Sequence, residues 1–567
     1  MMHHRIFPRN ICSLAGFILV LILATAKSIT ISRPPLLPGQ HCCPVNESLF
    51  WKKKVHGLNS AASKQLEPFL SYEFLLPQLQ LMAGLKYPSS AKRLRKFVSN
   101  LMTGDRPLKV GIVGGSISWG QGTTAHGVRD WFSIFMTWLV RGQTPGVEAL
   151  RVYVPRVRGF GFRIKFTIFY GKFCRISILH PPPHSASLSK ASVSRVPVIG
   201  RNGCIPGTPS FYMVLCWEHS VDPDVDLILV EYVFNDGVDD RIKNNGAVRW
   251  VEQLVRRLMA LPGRPAVVLV QVPHVHLTYF DPFFRTSEDL EGAVAAYYDV
   301  PTVSLRDALY PLNVHRPTEG FLWAQTYNEH HPGDAGHKAL ADLAVHLTQE
   351  TVLGLLSYPP SRDEAEKVEG PLPPPMYSGN LPPSSSVCVV GFNFTSLVVT
   401  AEGWEWTNEG TPEKPKWGYV ATEPGSQLVL QLTKRLAVEG AEALDGASTI
   451  ADGSASIKGS TFPVLLHYLQ SYVGMGTARV ECGGECECTG VNVDALHAGR
   501  SSQTYMAAVM VTWINQTLDC ELQITVLDKS RDVEGGHKFK VSGLVIAFGY
   551  DAAAVASVGK WHLPSDD

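Results

Sequence analysis

The hydrophobic pattern of this 567-residue chain changes once, at a proline-rich stretch between Tyr358 and Ser386. Before it, short apolar runs alternate with amphipathic helical segments. Leu108 to Val113 is an apolar run that ends in Gly114-Gly115, the signature of a buried parallel strand that turns sharply. Asp224 to Tyr232 and Ala266 to Val272 are predicted as two more buried strands. A helix is expected from near Ala91, and another over Val128 to Arg141, with Trp131, Ile134, Phe135 and Trp138 on one face. Ala247 to Leu261 carries Val251, Leu254, Val255 and Leu258 at helical spacing. A further helix with Leu340, Leu343 and Leu347 follows His337. Strands alternating with helices predict βαβ units and a parallel sheet. Past Ser386 the helical period disappears. Short runs of β-branched and aromatic residues recur between turn residues: Val387–Phe392, Ser396–Thr400, Gln427–Leu432, Val464–Leu469, Ala478–Cys482, Met506–Trp513, Glu521–Val526 and Phe539–Phe548. That pattern predicts an all-β sandwich. The expected fold class is therefore an α/β domain followed by an all-β domain.

The expected organisation is a signal peptide or signal anchor over 1–26, a stalk or lid over 27–90, and an α/β domain over 91–357. A proline-rich linker over 358–386 and a β-sandwich over 387–555 follow. Arg5 and Arg9 precede an apolar run from Ile11 to Ala26, which is short for a spanning helix and ends in small residues suited to signal cleavage. The expected location is secreted or in the lumen of the secretory pathway. The alternative is a membrane anchor at the N-terminus with the rest of the chain lumenal. Sequons at Asn46, Asn393 and Asn515 and the 11 cysteines agree with an oxidising compartment. Cys482, Cys486 and Cys488 lack a nearby histidine pair, so disulfides are expected there, with no metal and no cofactor. Lys+Arg and Asp+Glu both total 51, so nothing points to nucleic acid as a partner. Residues 158–201 are basic, then serine-rich, and fit neither domain; an insertion and a translated intron both match that composition.

Ser116 follows the first strand and two glycines, which permit a tight turn and leave the hydroxyl at the carboxyl edge of the sheet. Asn235 ends the second strand, Gly207 lies in the turn Pro206-Gly207-Thr208, and His331 precedes a helix that Asp334 is expected to cap. A serine nucleophile needs a base and oxyanion donors, and these residues supply those types in chain order.

Taken together, the blocks GGSIS, NGCIPGTPS, the strand-end Asn235-Asp236 and HPGDAGH resemble the SGNH hydrolase superfamily, the GDSL esterases and lipases. The likeness spans roughly residues 105–350 and is nearest to plant- and algal-type members with a C-terminal sandwich. It implies a three-layer, flavodoxin-like parallel sheet. It also implies Ser116 as nucleophile, His331 as base, and the Ser116 amide, Gly207 and Asn235 as the oxyanion hole. Two positions depart from the pattern. Gly115 replaces the usual Asp of Gly-Asp-Ser. Asn328 stands where the triad acid is expected, three residues before His331, with Glu329 beside it.

The resemblance implies an esterase acting on an acylated carbohydrate or small ester, with O-acetyl groups foremost. A glycan O-acetyltransferase using the same acyl-enzyme is one alternative. A catalytically weak glycan-binding homologue, prompted by Asn328, is another. Trp404, Trp406 and Trp417 suit sugar stacking, but core packing is the expected role. The oligomeric state is not legible.

Overall fold

The computed structural model describes residues 67, 69–103, 106–141, 152–153, 196–237, 245–272, 286–315, 326–328, 331–412, 414–432, 461–497, 502–514 and 520–548. The expected signal segment, Asn46, Asn515 and most of 158–201 lie outside them. No helix among the described residues is long and apolar enough to cross a membrane.

The N-terminal half is a parallel sheet with helices on both faces. Its strands are β1 (Leu108–Gly114), β2 (Val152–Tyr153), β3 (Val198–Asn202), β4 (Leu227–Glu231), β5 (Ala266–Gln271) and β6 (Thr302–Ser304), in the order β2-β3-β1-β4-β5-β6. All five pairings are parallel. The helices are α1 (Lys92–Thr103), α2 (Trp131–Arg141), α3 (Ser210–Cys216), α4 (Gly246–Met259), α5 (Ser287–Tyr298), α6 (Leu305–His315) and α7 (Asp334–Ser357). Alternate residues of β1, β4 and β5 supply opposite cores. Val110, Ile112, Leu227, Leu229, Val268 and Val270 join one apolar core with Phe97, Phe135 and Leu343. Val113, Ile228, Val230, Val267 and Leu269 join another with Val251, Leu254 and Val294. Strands buried on both faces are why these segments read as continuous apolar runs. The three-layer α/β architecture is as expected from the sequence.

The strip 198–201, which composition groups with the basic and serine-rich stretch, belongs to β3 and pairs with β1 from Val198 to Arg201 against Leu108 to Gly111. The basic stretch therefore ends before the sheet resumes. A strand with Gly200 and Arg201 carries little hydrophobic signal. The glycine is required by packing, since a Cβ at 200 would lie 2.9 Å from Met136 Cε.

The chain after Ser357 first forms α8 (Arg362–Glu369), then an extended strap that lies along the α/β domain. Glu252 holds the strap: it accepts from Asn380 Nδ2 at 2.7 Å and from the backbone amides of Met376 and Tyr377. Twelve strands follow, from β9 (Ser385–Val390) through β10 (Val398–Glu402), β11 (Glu405–Asn408), β12 (Trp417–Ala421), β13 (Gln427–Leu432), β14 (Thr461–Gln470), β15 (Thr477–Gly484), β16 (Cys486–Glu487), β17 (Val491–Asp494), β18 (Gln503–Trp513) and β19 (Cys520–Val526) to β20 (Phe539–Phe548). They form two antiparallel sheets, β10-β13-β19-β15-β17 and β11-β12-β20-β14-β18-β16, with β9 on β20. Inward residues such as Val464, Leu466, Val480, Ile524 and Leu544 fill the space between the sheets. This is the expected sandwich.

The outer face of the larger sheet is not left to solvent. Leu465, Met506, Val545 and Ala547 pack against Phe211, Tyr212 and Leu215 of α3 and Trp250 of α4. A disulfide between Cys216 and Cys388 ties α3 to β9 beside that contact. Cys482–Cys488 and Cys486–Cys520 are also bonded, so the three clustered thiols are consumed by disulfides. Trp404 is core, packed edge-on to Phe539, while Trp406 and Trp417 stack on each other with centroids 5.9 Å apart.

Candidate active site

Apart from the two-residue β2 at its edge, the sheet runs outward from β1 in both directions. The chain passes from β1 to β3 on one side and then to β4 on the other. The crevice between the carboxyl ends of β1 and β4 is the switch point, where open α/β sheets bind ligands. Ser116 follows β1 and Asn235 follows β4.

β1 ends at Gly114, Gly115 is extended with φ −87°, and Ser116 opens a helical turn to Trp119. Gly120 stops that turn in the left-handed region, at φ 110°. Both glycines of the pair are required. A Cβ on Gly114 would lie 2.7 Å from the Glu231 carbonyl oxygen. A Cβ on Gly115 would lie 1.8 Å from Asn235 Oδ1 and 3.0 Å from Nδ2. The side-chain amide of Asn235 thus abuts the residue before Ser116. The departure from Gly-Asp-Ser has a local cause: the space of a side chain at 115 is taken by Asn235.

Ser116 Oγ lies 2.8 Å from His331 Nε2. His331 stands on β8 (His331–Pro332), which pairs antiparallel with β7 (Tyr327–Asn328), and Asn328 is directly opposite His331. The three-residue spacing is realised as a cross-strand pair. The side chain of Asn328 and all of Glu329 lie outside the described residues. Gly207 has φ +76° on the loop after β3, and its carbonyl accepts from Thr504 of β18 at 2.9 Å. Two residues earlier, Ile205 N–H donates to Gly114 O at 3.0 Å, so this loop runs beside the end of β1. The structure therefore brings Ser116, His331 and Asn235 together, with residue 328 across the hairpin from His331 and the Gly207 loop alongside.

Asp334 does not cap its helix. The N-cap is Gly333, without a side-chain bond, and the Asp334 carboxylate accepts from Thr124 N–H at 2.8 Å, from Thr124 Oγ1 at 2.7 Å and from Arg129. Burial opposes ionisation of Asp334, but these donors outweigh it and hold the carboxyl down at about 2. The carboxylate fastens the 120–130 loop instead.

Residues that the sequence reading passed over support the Ser116 turn from below. Trp131 Nε1 donates to Ser118 Oγ at 3.1 Å, and Ser118 Oγ donates to Glu231 Oε2 at 3.0 Å. Complete burial pushes the Glu231 carboxyl up to about 8, against the hydrogen bonds from Ser118. Burial likewise raises Asp236 to about 7 and Glu291 to about 8. His337 is fully buried, accepts from Trp131 N–H at 3.3 Å and reaches Gln121 O with Nε2 at 3.2 Å. Burial lowers its pKa, so it is a neutral strut between two loops. The HPGDAGH block shows two histidines in sequence, and it is His331, not His337, that contacts Ser116. No group of His, Cys, Asp or Glu among the described residues could hold a metal.

No family profile matches the chain, and no curated protein does. Solved structures do. A two-domain esterase (CEX) active on acetylated mannans aligns with a TM-score of 0.51 at 16% identity, over 83% of this chain and 99% of that one. The same esterase co-crystallised with mannopentaose aligns with a TM-score of 0.50 at 16% identity and the same coverage. The CBM36-1 domain of a multidomain xylanase from the hindgut metagenome of Trinervitermes trinervoides matches 30% of this chain at 13% identity, with a TM-score of 0.19. The first two show a shared two-domain fold.

Proposed function

We propose that the chain is a secretory-pathway serine esterase of SGNH type that hydrolyses O-acyl, foremost O-acetyl, esters on carbohydrate. The observation that carries this reading is the 2.8 Å contact between Ser116 Oγ and His331 Nε2 at the switch point of the sheet. The two-domain fold held in common with an esterase active on acetylated mannans supports the substrate class. The three disulfides support the oxidising location.

His331 Nε2 takes the proton of Ser116 as Oγ attacks the ester carbonyl. The oxyanion is held by the Ser116 and Gly207 amides and the Asn235 side chain, each such donor contributing roughly 3 kcal/mol. Collapse breaks the bond to the alcohol, which leaves with the proton from His331. A water, deprotonated by His331, then attacks the acyl-enzyme and releases the acid and Ser116. Asn328 orients the imidazole as a neutral amide and stabilises its cation less than a carboxylate would.

The test is acetate release from p-nitrophenyl acetate and from acetylated mannan by the full chain and by Ser116→Ala. Hydrolysis that Ser116→Ala abolishes supports the esterase. Acetyl transfer to an added glycan at the expense of hydrolysis makes the chain a transferase. Glycan binding without turnover makes it a binding protein and sinks the proposal.

A further inference from the structure

The β11–β12 turn of the sandwich reaches the nucleophile loop. Lys414 Nζ donates to Gln121 Oε1 and lies 5.3 Å from the centroid of the Trp119 ring. Gln121 N–H in turn donates to Ser116 O at 3.0 Å, so this lysine touches a residue bonded to the nucleophile's own carbonyl. The same loop presses on the base: a Cβ on Gly122 would lie 2.9 Å from His331 Cβ. Lys414 therefore bears on the loop that touches both Ser116 and His331.

Its surroundings are unusual for a half-buried cation. Among the described residues its ammonium donates to one acceptor, a neutral amide, and no carboxylate pairs with it. The charge that acts on it among the described residues is a second cation, Lys416. Burial, then Lys416, pull its pKa down to about 8, which still leaves it mostly protonated at neutral pH. Desolvating an unpaired ammonium is costly, and the cost is removed when an anion arrives. An ammonium carries three donors, and Gln121 occupies one. Trp119 beside it is stacked on His126, with centroids 4.1 Å apart.

We propose that Lys414 is a specificity residue that binds an anionic substituent, a carboxylate or a sulfate, on the acylated glycan whose ester enters the site. The inference rests on the esterase reading for where the glycan lies, and it adds the charge of the substrate. The sandwich would thereby select among substrates at the site itself.

The test compares the full chain, Lys414→Met and Lys414→Arg on three acetylated oligosaccharides: a neutral mannan, an oligogalacturonide and a sulfated galactan. The expected wild-type preference for an acidic over the neutral substrate is about tenfold in kcat/KM, carried by KM and weakened by salt. Lys414→Met should bring that ratio near one, and Lys414→Arg should keep it. The arm that shows the preference distinguishes carboxylate from sulfate. A wild-type ratio near one, or a ratio that Lys414→Met leaves intact, overturns the proposal; an equal loss on all three substrates means that Lys414 only positions Gln121. Calorimetry of the oligogalacturonide and the sulfated galactan on Ser116→Ala, with and without Lys414→Met, separates the two readings. Lys414-dependent binding without turnover by the native chain removes the esterase and leaves the anion subsite, and anion binding indifferent to Lys414 removes the subsite.

Discussion

Replacing Gly115 by alanine should disable the oxyanion hole without touching a catalytic atom. The added methyl would stand 1.8 Å from Asn235 Oδ1 and 2.6 Å from Cγ, closer than any non-bonded contact allows. Asn235 is 6% exposed and has no room to share, so its amide must swing away from the residue before Ser116. The backbone at 115 is not the obstacle, because φ −87° suits any residue. The loss is then that of one donor, about 10²- to 10³-fold in kcat, or about 3–4 kcal/mol, with KM little changed. The assay is p-nitrophenyl acetate turnover by Gly115→Ala, Asn235→Ala and the double variant, with Tm recorded for each. Both changes act on one amide, so the double variant should be no slower than Asn235→Ala alone. Full kcat in Gly115→Ala would refute the argument. Multiplying penalties in the double variant would refute it too, since the two residues would then act independently.

Asn328→Asp should raise kcat by an order of magnitude or more, because a carboxylate paired across the hairpin with His331 stabilises the imidazolium that an amide stabilises poorly; no change in kcat would remove Asn328 from the triad position. The buried carboxyls give a pH dependence of stability with a definite sign. Glu231, Asp236 and Glu291 hold their protons at about 8, 7 and 8, above the ordinary 4.5, 3.8 and 4.5. Their contribution is complete below about pH 4 and is lost as pH rises towards 8, at up to about 1.4 kcal/mol per pH unit for each group that ionises on unfolding alone. Tm should therefore fall between pH 5 and 8.5, and Glu231→Gln, which keeps the acceptor for Ser118, should flatten the fall; a Tm that rises over that interval contradicts the assignment.

Periodicity alone located β1, β4, β5, α4 and most sandwich strands, because each buries a regular stripe that dictates its own spacing. Chain order, residue type and the family resemblance together nominated Ser116, Gly207, Asn235 and His331. What depended on contacts between distant segments was not legible. β3 reads as part of a polar stretch, since Gly200 is there to admit Met136 from α2 rather than to fill a core. Asp334 looks like a helix cap until Thr124 and Arg129 are seen beside it. The resemblance nominates His331 and leaves His337 without a role; in the fold one lies against Ser116 and the other is sealed between Trp131 and Gln121. The strongest instance is the sandwich. Its strands alternate as sequence predicts, but Leu465, Met506 and Val545 on its outer face, and Lys414 on its turn, have meaning only against the α/β domain. Local sequence encodes which face of a strand is apolar, because that period is intrinsic to the backbone. Which surface covers that face, and which charge a turn delivers to a distant loop, is set by burial and sterics between segments hundreds of residues apart, and only the folded chain decides it.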